Sequence, residues 1–159
     1  MSVTVKSGIV LGVLVGLWTF VMGFTGWYKD PVLLNMFWVV ILIQIVVLVW
    51  ALRDTAAGGA RYGTQVWNGT LISLIGGVII FASSMLFTTV FFPQYFEELR
   101  QIQGQMLKQA GQSDAEIKAV LDAGAATATP FYQALFGFIG TVVTGVVVSA
   151  VAGAFLRRK

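Results

Sequence analysis

The sequence predicts an all-α membrane protein with four transmembrane helices and an external amphipathic helical hairpin between the third helix and the fourth. The chain of 159 residues is 57% hydrophobic and 11% charged, whereas soluble domains carry roughly 25% charged residues. Four apolar stretches are long enough to cross a bilayer, which takes about 20 helical residues. One polar stretch, residues 93–124, interrupts this pattern. We therefore expect residues 1–159 to form a single transmembrane domain.

The four predicted spans share one property: none of them contains an Asp, Glu, Lys or Arg. We do not expect the first span to be a cleaved signal peptide, because its apolar run continues to Phe24 without an A-x-A cleavage pattern. The spans cover residues 7–28, 33–52, 65–92 and 131–156.

The Lys and Arg residues outside the spans predict the orientation of the chain. Lys6, Arg53, Arg61 and the basic tail of residues 157–159 fall on one side of the membrane. On the other side, most of the cations lie in the polar stretch, where carboxylates dilute them. Because Lys-rich and Arg-rich loops stay in the cytoplasm, we expect both termini to be cytoplasmic and residues 93–130 to be external.

The composition excludes most catalytic and metal-binding chemistry. The chain has no Cys and no His, so it lacks thiolate nucleophiles, imidazole bases and the usual protein ligands of zinc and haem iron. The net charge of +3 comes from cations at helix ends rather than from a basic patch. We expect a protein that is not an enzyme, holds no cofactor or metal, and associates with the lipid bilayer rather than with nucleic acid.

Small residues recur at four-residue spacing in three of the spans, as is typical of helices that pack closely in lipid. Such a stripe contacts either another helix of the same chain or a second protein. Internal packing is the simpler interpretation. The stripe of the fourth span is longer than one neighbour needs, however, which makes it the best candidate for an external face. The stripes are Gly8, Gly12 and Gly16, then Gly69, Ser73 and Gly77, and finally Gly137, Thr141, Gly145, Ser149 and Gly153.

A few polar residues lie near the predicted middle of the membrane, namely Gln44, Ser84 and Thr144, with Ser83 and Thr141 beside them. These residues could line a path for a solute or form hydrogen bonds between helices. We favour hydrogen bonding, because transporters usually carry an ionisable group at this depth and the spans contain none.

The polar stretch predicts a first external helix from about Pro93 to Ala110, which Gly111 ends. Its charged residues fall opposite one apolar face. That face is expected either to lie on the protein's own bundle or to dock a partner. It consists of Tyr95, Leu99, Ile102 and Met106, which recur at helical spacing.

A capping box predicts a second external helix directly after the first. Ser113 is placed at the N-cap and Glu116 follows three residues later, so each can satisfy a backbone N–H of the other. Gly124 is expected to end this helix. The carboxylates of both helices are mixed with cations, which is typical of a solvated helix face rather than of an acid–base or metal site.

Three segments of the chain have a recognisable arrangement: "GGARYGTQVWNGTLISLIGGVI", "FFPQYFEELRQIQGQMLKQAGQSDAEIKAVLDAG" and "TPFYQALFGFIGTVVTGVVVSAVAGAFLRRK". Together they resemble a bacterial family of four-span membrane proteins that is known only as domain of unknown function 4199. The similarity lies in a glycine-rich turn before the third helix, an amphipathic insert with a Ser-x-x-Glu second helix, and a last helix with a basic end. The resemblance implies a four-span fold in the bacterial inner membrane, with residues 93–130 in the periplasm. It implies no activity.

Features that form contacts outnumber features that carry chemistry, so we first expect a non-enzymatic accessory or scaffolding subunit of a larger membrane complex. It would bind other membrane protein subunits, or a second copy of itself, through the stripe of the fourth span or through the external helices. The alternative is a small transporter or channel component that passes a neutral solute between Gln44, Ser84 and Thr144. A third possibility is a protein that holds an apolar ligand or pigment near Trp18 or Trp38.

Overall fold

A computed structural model describes residues 2–156 of the chain. The basic tail, residues 157–159, contributes to the predicted orientation and lies outside the described residues. Within residues 2–156 the chain forms six α-helices joined by short turns. They are α1 (Val3–Phe24), α2 (Val39–Ala57), α3 (Tyr62–Leu86), α4 (Tyr95–Gln109), α5 (Asp114–Ala125) and α6 (Pro130–Leu156).

Four of these helices form an antiparallel bundle. α1, α2, α3 and α6 belong to the four segments that are long and apolar enough to cross a membrane, so the predicted four-span fold is confirmed. α3 packs against α1 and α6, and α2 completes the bundle against the same two helices. One end of the bundle, termed here the hairpin face, carries α4 and α5. The other end, termed the terminal face, carries the start of α1, the end of α6 and the turn between α2 and α3.

Several helix boundaries differ from the predicted ones. α1 ends at Phe24 rather than at residue 28, because Gly26 adopts a left-handed backbone (φ +70°) that leads into a short 3₁₀ turn, Trp27–Lys29. α2 continues to Ala57 rather than to residue 52. At the hairpin, α4 begins at Tyr95, after Pro93 rather than at it. Gly124 lies inside α5, which ends at Ala125.

Two irregular turns at the hairpin face shape the region above the bundle. The chain enters α2 through a 3₁₀ segment, Leu33–Trp38, which Asp30 starts by accepting hydrogen bonds from the backbone N–H groups of Val32 (2.8 Å) and Leu33 (3.1 Å). α3 continues into a π-helical turn, Phe87–Phe91. π turns insert an extra residue into a helix. They are found frequently at functional sites.

Glycines bring α1 and α3 into close contact. A Cβ atom at Gly12 would lie 2.6 Å from the Cβ of Ile79 and 2.9 Å from the carbonyl oxygen of Gly76. A Cβ at Gly8 would lie 2.7 Å from the Cβ of Ile75. The glycines of the first span therefore contact α3 of the same chain, as lipid-embedded helices do where their backbones approach closely.

The contact between α3 and α6 pairs serines with glycines in both directions. The hydroxyl of Ser149 occupies the space in which Gly69 would carry a Cβ, and the hydroxyl of Ser73 does the same at Gly145. The hydroxyl of Ser149 donates a hydrogen bond to the carbonyl oxygen of Gly145 (2.5 Å), so it does not remain unpaired in the apolar interior.

The rest of the stripe on α6 also faces α3. A Cβ at Gly137 would contact the side chain of Ile80. A Cβ at Gly153 would lie 3.2 Å from the Cβ of Gln65. From α3, Gly77 meets Phe138 of α6. The structure thus places the stripe of the fourth span inside the bundle, because α3 carries complementary small residues. This stripe is not the exposed contact face considered from the sequence.

The hydrophobic core fills the half of the bundle nearest the terminal face. The buried residues of α2 all lie between Gln44 and Leu52, and its first turns, nearer the hairpin face, are partly exposed. A second cluster of buried residues, Tyr28, Phe87 and Tyr95, lies at the hairpin face. The buried apolar residues of the hydrophobic core are Leu11, Val15, Val47, Leu48, Ala51, Ile72 and Ile80.

The hairpin lies against its own bundle through α4. Tyr95 packs in an aromatic cluster with Tyr28 and Phe87, and Leu99 lies against the same cluster. Of the other two residues of the predicted apolar face, Ile102 is buried, whereas Met106 is 41% exposed. Gly111 ends the helical region with a left-handed backbone (φ +83°), as its position in the sequence predicts.

α5 packs chiefly against α4. Its predicted capping box is confirmed, since the Ser113 hydroxyl accepts a hydrogen bond from the Glu116 N–H and the Glu116 carboxylate accepts one from the Ser113 N–H. An ion pair between Arg100 and Asp122 (2.9 Å) joins the two helices on their solvent side.

Candidate functional site: a polar cavity between the transmembrane helices

A cavity of about 290 Å³ lies in the half of the bundle nearest the hairpin face. α2 and α6 form two of its sides, α1 and α3 form its deeper wall, and the first turn of α4 covers its end. This volume is just below the lower end of the range for ligand pockets, about 300 Å³, so the cavity fits only a very small molecule. It is lined by apolar side chains and by several uncharged polar ones, chiefly Thr19, Gln44, Ser84, Thr88, Gln133, Thr141 and Thr144.

The three polar residues predicted near the middle of the membrane all line this one cavity. Gln44 comes from α2, Ser84 from α3 and Thr144 from α6. They stand apart in the sequence, and the packing of the helices brings them to the same space. The neighbouring Ser83 turns to the other side, against Gly16 of α1, and its hydroxyl donates to the carbonyl oxygen of Ile79 (2.8 Å).

Gln44 is the cavity residue whose side chain has a buried polar atom without a hydrogen-bond partner, as Ser7, Gln65 and Ser73 have elsewhere in residues 2–156. Its side chain is 4% exposed, and within residues 2–156 its Oε1 atom accepts no hydrogen bond. A buried polar atom without a partner costs about 1–3 kcal/mol. Because this atom is itself nearly inaccessible, a hydrogen-bond donor in the cavity would recover that free energy once the Gln44 side chain turned toward it.

The threonine hydroxyls of the cavity already donate within their own helices. Thr141 donates to the carbonyl oxygen of Gly137 (2.8 Å), and Thr88 donates to that of Ser84 (2.9 Å). Their oxygens keep lone pairs that can accept further hydrogen bonds. The cavity is therefore suited to a molecule that has hydrogen-bond donors as well as apolar surface.

The cavity carries no formal charge at neutral pH. Tyr95, at its covered end, is its one titratable lining residue. Burial, and secondarily the neighbouring Tyr28, raise the pKa of the Tyr95 hydroxyl above its ordinary value, so that it stays neutral. An ion placed here would lose its hydration without gaining a counter-charge, which is costly at membrane depth.

The covering helix α4 is held in place by one carboxylate. Glu98 accepts a hydrogen bond from the hydroxyl of Tyr28 and forms an ion pair with the ammonium of Lys29 (2.8 Å). These two donors, Lys29 first and Tyr28 second, lower the pKa of Glu98 below its ordinary value. Burial, together with the hydrogen bond to Glu98, raises the pKa of Tyr28.

The two tryptophans considered as ligand contacts lie elsewhere. The indole N–H of Trp18 donates to the backbone carbonyl of Met36 (3.0 Å), which ties α1 to the 3₁₀ segment before α2. Trp38 is 69% exposed at the surface of the bundle. Neither of them lines the cavity.

Sequence reasoning did not single out Gln133, which the structure places at the cavity. Its spacing contains a usable signal. Gln133, Gly137, Gly140 and Thr144 follow one another at intervals of four, three and four residues, so they share one face of α6. A search for polar and small residues on the face of Thr144 would have found Gln133.

The chain matches a known protein family along nearly its whole length. The profile of the family described as "Protein of unknown function (DUF4199)" matches residues 6–158, which is nearly the whole chain. No curated protein and no solved structure gives a significant match. The chain therefore belongs to the DUF4199 family, whose function is unknown.

Proposed function

We propose that this protein is a non-enzymatic, multi-pass membrane protein that binds a small, uncharged, polar molecule in the cavity between α2 and α6, as a small transporter or a transporter component. One observation carries the proposal. Gln44 is nearly fully buried with an unpartnered Oε1 atom, and it faces the same cavity as Ser84 and Thr144. Three helices thus supply polar groups to a space that has no charge.

The chemistry of the chain supports binding rather than catalysis. There is no Cys or His. Within residues 2–156, no three Asp or Glu side chains lie close enough together to hold a metal ion. The cavity therefore offers hydrogen bonds and apolar contacts, but no nucleophile or general base near neutral pH.

The proposed location is the bacterial inner membrane, with the terminal face in the cytoplasm and the hairpin face in the periplasm. Lys6, Arg53 and Arg61 lie toward the terminal face, which the positive-inside rule assigns to the cytoplasm. A molecule from outside the cell would then meet the hairpin face first.

Solute flux tests this proposal directly. The protein is reconstituted into liposomes, and stopped-flow light scattering follows the entry of glycerol and of urea, two small uncharged probes. We expect wild-type vesicles to equilibrate with at least one probe faster than empty vesicles, and Gln44→Leu to return the rate to that of empty vesicles. Equal rates for wild-type and empty vesicles, together with no rise in thermal stability at high probe concentration, would refute the proposal.

A serine pair provides a matched control. Ser84 lines the cavity, whereas its neighbour Ser83 packs against Gly16 of α1. Each loses one hydroxyl on substitution by Ala. Ser84→Ala should lower the flux, and Ser83→Ala should leave it unchanged once the amount of folded protein is matched.

A second candidate function is that of an accessory or scaffolding subunit. It is supported by α5, because none of its residues is buried and Val120 is 45% exposed on it. In this proposal α5 contacts another membrane protein subunit or a second copy of the chain. Native mass spectrometry of protein extracted in mild detergent tests it: we expect a complex that Val120→Asp dissociates, and a lone monomer would contradict it.

A further inference from the structure

A second depression lies at the hairpin face directly above the cavity. It is a groove of about 420 Å³ between α4, α5 and the start of α6. Its walls combine apolar side chains, such as Phe96 and Leu99, with polar ones, such as Gln103. Its two charged lining residues, Glu97 and Arg100, have opposite signs, and Arg100 is already paired with Asp122. The groove therefore does not select for an ion of either sign.

The groove and the cavity meet at two residues of α6. Gln133 and Phe136 line both spaces. A helix rises about 1.5 Å per residue, so Gln133 lies about 16 Å nearer the hairpin face than Thr144. The two spaces are neighbours along one side of α6 and share an amide and an aromatic ring in their walls.

The opposite end of the cavity is closed. Val15 and Ile80 line it from α1 and α3 and are 2% and 5% exposed. Both belong to the hydrophobic core that fills the bundle toward the terminal face, together with Leu48 and Ile72, which are fully buried. In this conformation the core therefore closes the cavity toward the terminal face.

We infer that the uncharged polar ligand enters and leaves the cavity from the hairpin face, through the groove and then between Gln133 and Phe136. This inference rests on the proposed function, and it adds the side of access and the residues of the passage. Gln133 offers an amide at the junction, which can replace hydrogen bonds that the molecule loses as it leaves water. The core beneath the cavity closes the described state toward the terminal face.

Cysteine labelling tests the route without any background labelling, because the chain contains no cysteine. Single variants Gln133→Cys, Phe136→Cys and Thr144→Cys place a thiol along the route. Gln112→Cys marks the hairpin face and Ala57→Cys marks the terminal face, at exposed positions. Val147→Cys is the control on α6, since Val147 is 56% exposed on the bundle surface and does not line the cavity. The reagent is the membrane-impermeant sulfonatoethyl methanethiosulfonate, added to one side of reconstituted vesicles.

We expect Gln133→Cys and Phe136→Cys to react from the same side as Gln112→Cys, at least about tenfold faster than Val147→Cys. A thiol in apolar surroundings has a raised pKa, and one unit leaves about tenfold less reactive thiolate. Labelling of Phe136→Cys from the side of Ala57→Cys would overturn the inference. So would a rate at Gln133→Cys and Phe136→Cys equal to that of Val147→Cys.

Reagent charge tests the ligand class at the deeper position. We expect the uncharged hydroxyethyl methanethiosulfonate to modify Thr144→Cys at least about tenfold faster than the sulfonatoethyl reagent, because a charge is costly at membrane depth. Equal rates would contradict the uncharged class. Gel filtration and thermal unfolding of every variant show that labelling is measured on folded protein.

The two proposals can fail separately. If Phe136→Cys labels as expected but wild-type vesicles show no flux and no probe binding, the route stands as a structural passage and the proposed function fails. If flux depends on Gln44, but labelling of Phe136→Cys leaves the rate unchanged, the function stands and this route is overturned.

Discussion

At the scale of single residues, the bundle depends on pairs in which a serine side chain fills the space beside a glycine, which has no side chain of its own. Ser149 against Gly69 and Ser73 against Gly145 are such pairs. These pairs allow the backbones of α3 and α6 to approach closely. Close approach matters in lipid, because there van der Waals packing holds helices together in place of a hydrophobic driving force. The Ser149 hydroxyl also has a hydrogen-bond partner, whereas the buried hydroxyl of Ser73 and the buried amide oxygen of Gln44 have none among residues 2–156.

Gly145→Ala should destabilise the folded protein. The new Cβ would overlap the hydroxyl of Ser73, and overpacking of this kind costs about 1–3 kcal/mol. The measurement is the thermal unfolding midpoint in detergent, followed by tryptophan fluorescence. Gly140→Ala is the control, because a Cβ there has no atom within 4 Å. Equal midpoints for the two variants would show that α3 and α6 are not packed as described.

The stability that Glu98 provides should depend on pH. Its pKa is lowered in the folded state by Lys29 and Tyr28, so its contribution is present above the ordinary carboxyl pKa and is lost as the pH falls through the lowered one. The unfolding midpoint of the wild type should therefore fall in acid more steeply than that of Glu98→Gln, which cannot titrate. Glu97→Gln, next to it and exposed, should keep the wild-type pH profile. Parallel profiles for the wild type and Glu98→Gln would contradict the anchoring role of this carboxylate.

At the scale of elements, α4 and α5 have different roles although they form one hairpin. α4 is tied to the bundle by the aromatic cluster and by Glu98, and Tyr95 lines the hairpin end of the cavity. α5 packs chiefly against α4, and none of its residues is buried. Its stability must therefore come largely from local features such as its capping box, because tertiary packing contributes little to it.

Ser113→Ala should loosen α5 alone. Loss of an N-cap serine costs about 0.5–2 kcal/mol of helix stability. Ser113 is the N-cap of α5, whereas α4 has a different N-cap residue, Gln94. Hydrogen exchange followed by mass spectrometry should show faster exchange in α5 and unchanged exchange in α4. Gln112→Ala changes an exposed neighbour outside the capping box and should have no effect. Equal acceleration in both helices would mean that the hairpin opens as one unit.

At the scale of the whole molecule, the bundle is packed unevenly along the membrane normal. Toward the terminal face, α1, α2, α3 and α6 share a continuous core. Toward the hairpin face, α2 enters through a 3₁₀ segment and α3 leaves through a π turn. The same half contains the cavity and the groove above it. The two irregular turns, the cavity and the groove therefore lie in the same half of the molecule.

Filling the cavity should abolish solute flux without unfolding the protein. Gly140 lines the cavity, and a Cβ there meets no other atom within 4 Å. Gly140→Leu should reduce glycerol or urea entry to the rate of empty vesicles while the unfolding midpoint stays near that of the wild type. Gly63→Leu is the control, because Gly63 has the same free space at the terminal end of α3. Wild-type flux in Gly140→Leu would exclude this cavity as the path.

The sequence alone determined the parts of this protein that depend on local pattern. The four spans, the capping box at Ser113 and the turn at Gly111 follow from hydrophobicity, side-chain hydrogen bonding and backbone freedom. The small-residue stripes could also be located in advance. Which helix each stripe contacts could not, because lipid makes every face of an apolar helix acceptable until a complementary partner surface is present.

Only the tertiary structure decided that the stripe of α6 is internal and that Gln44, Ser84 and Thr144 meet in one cavity. Such meetings depend on the rotation and depth of each helix. In a bundle with apolar residues on all sides, the pattern of one helix does not specify either of them. The role of Tyr95 has the same origin: its spacing predicts an apolar face, and the fold places that face over the cavity.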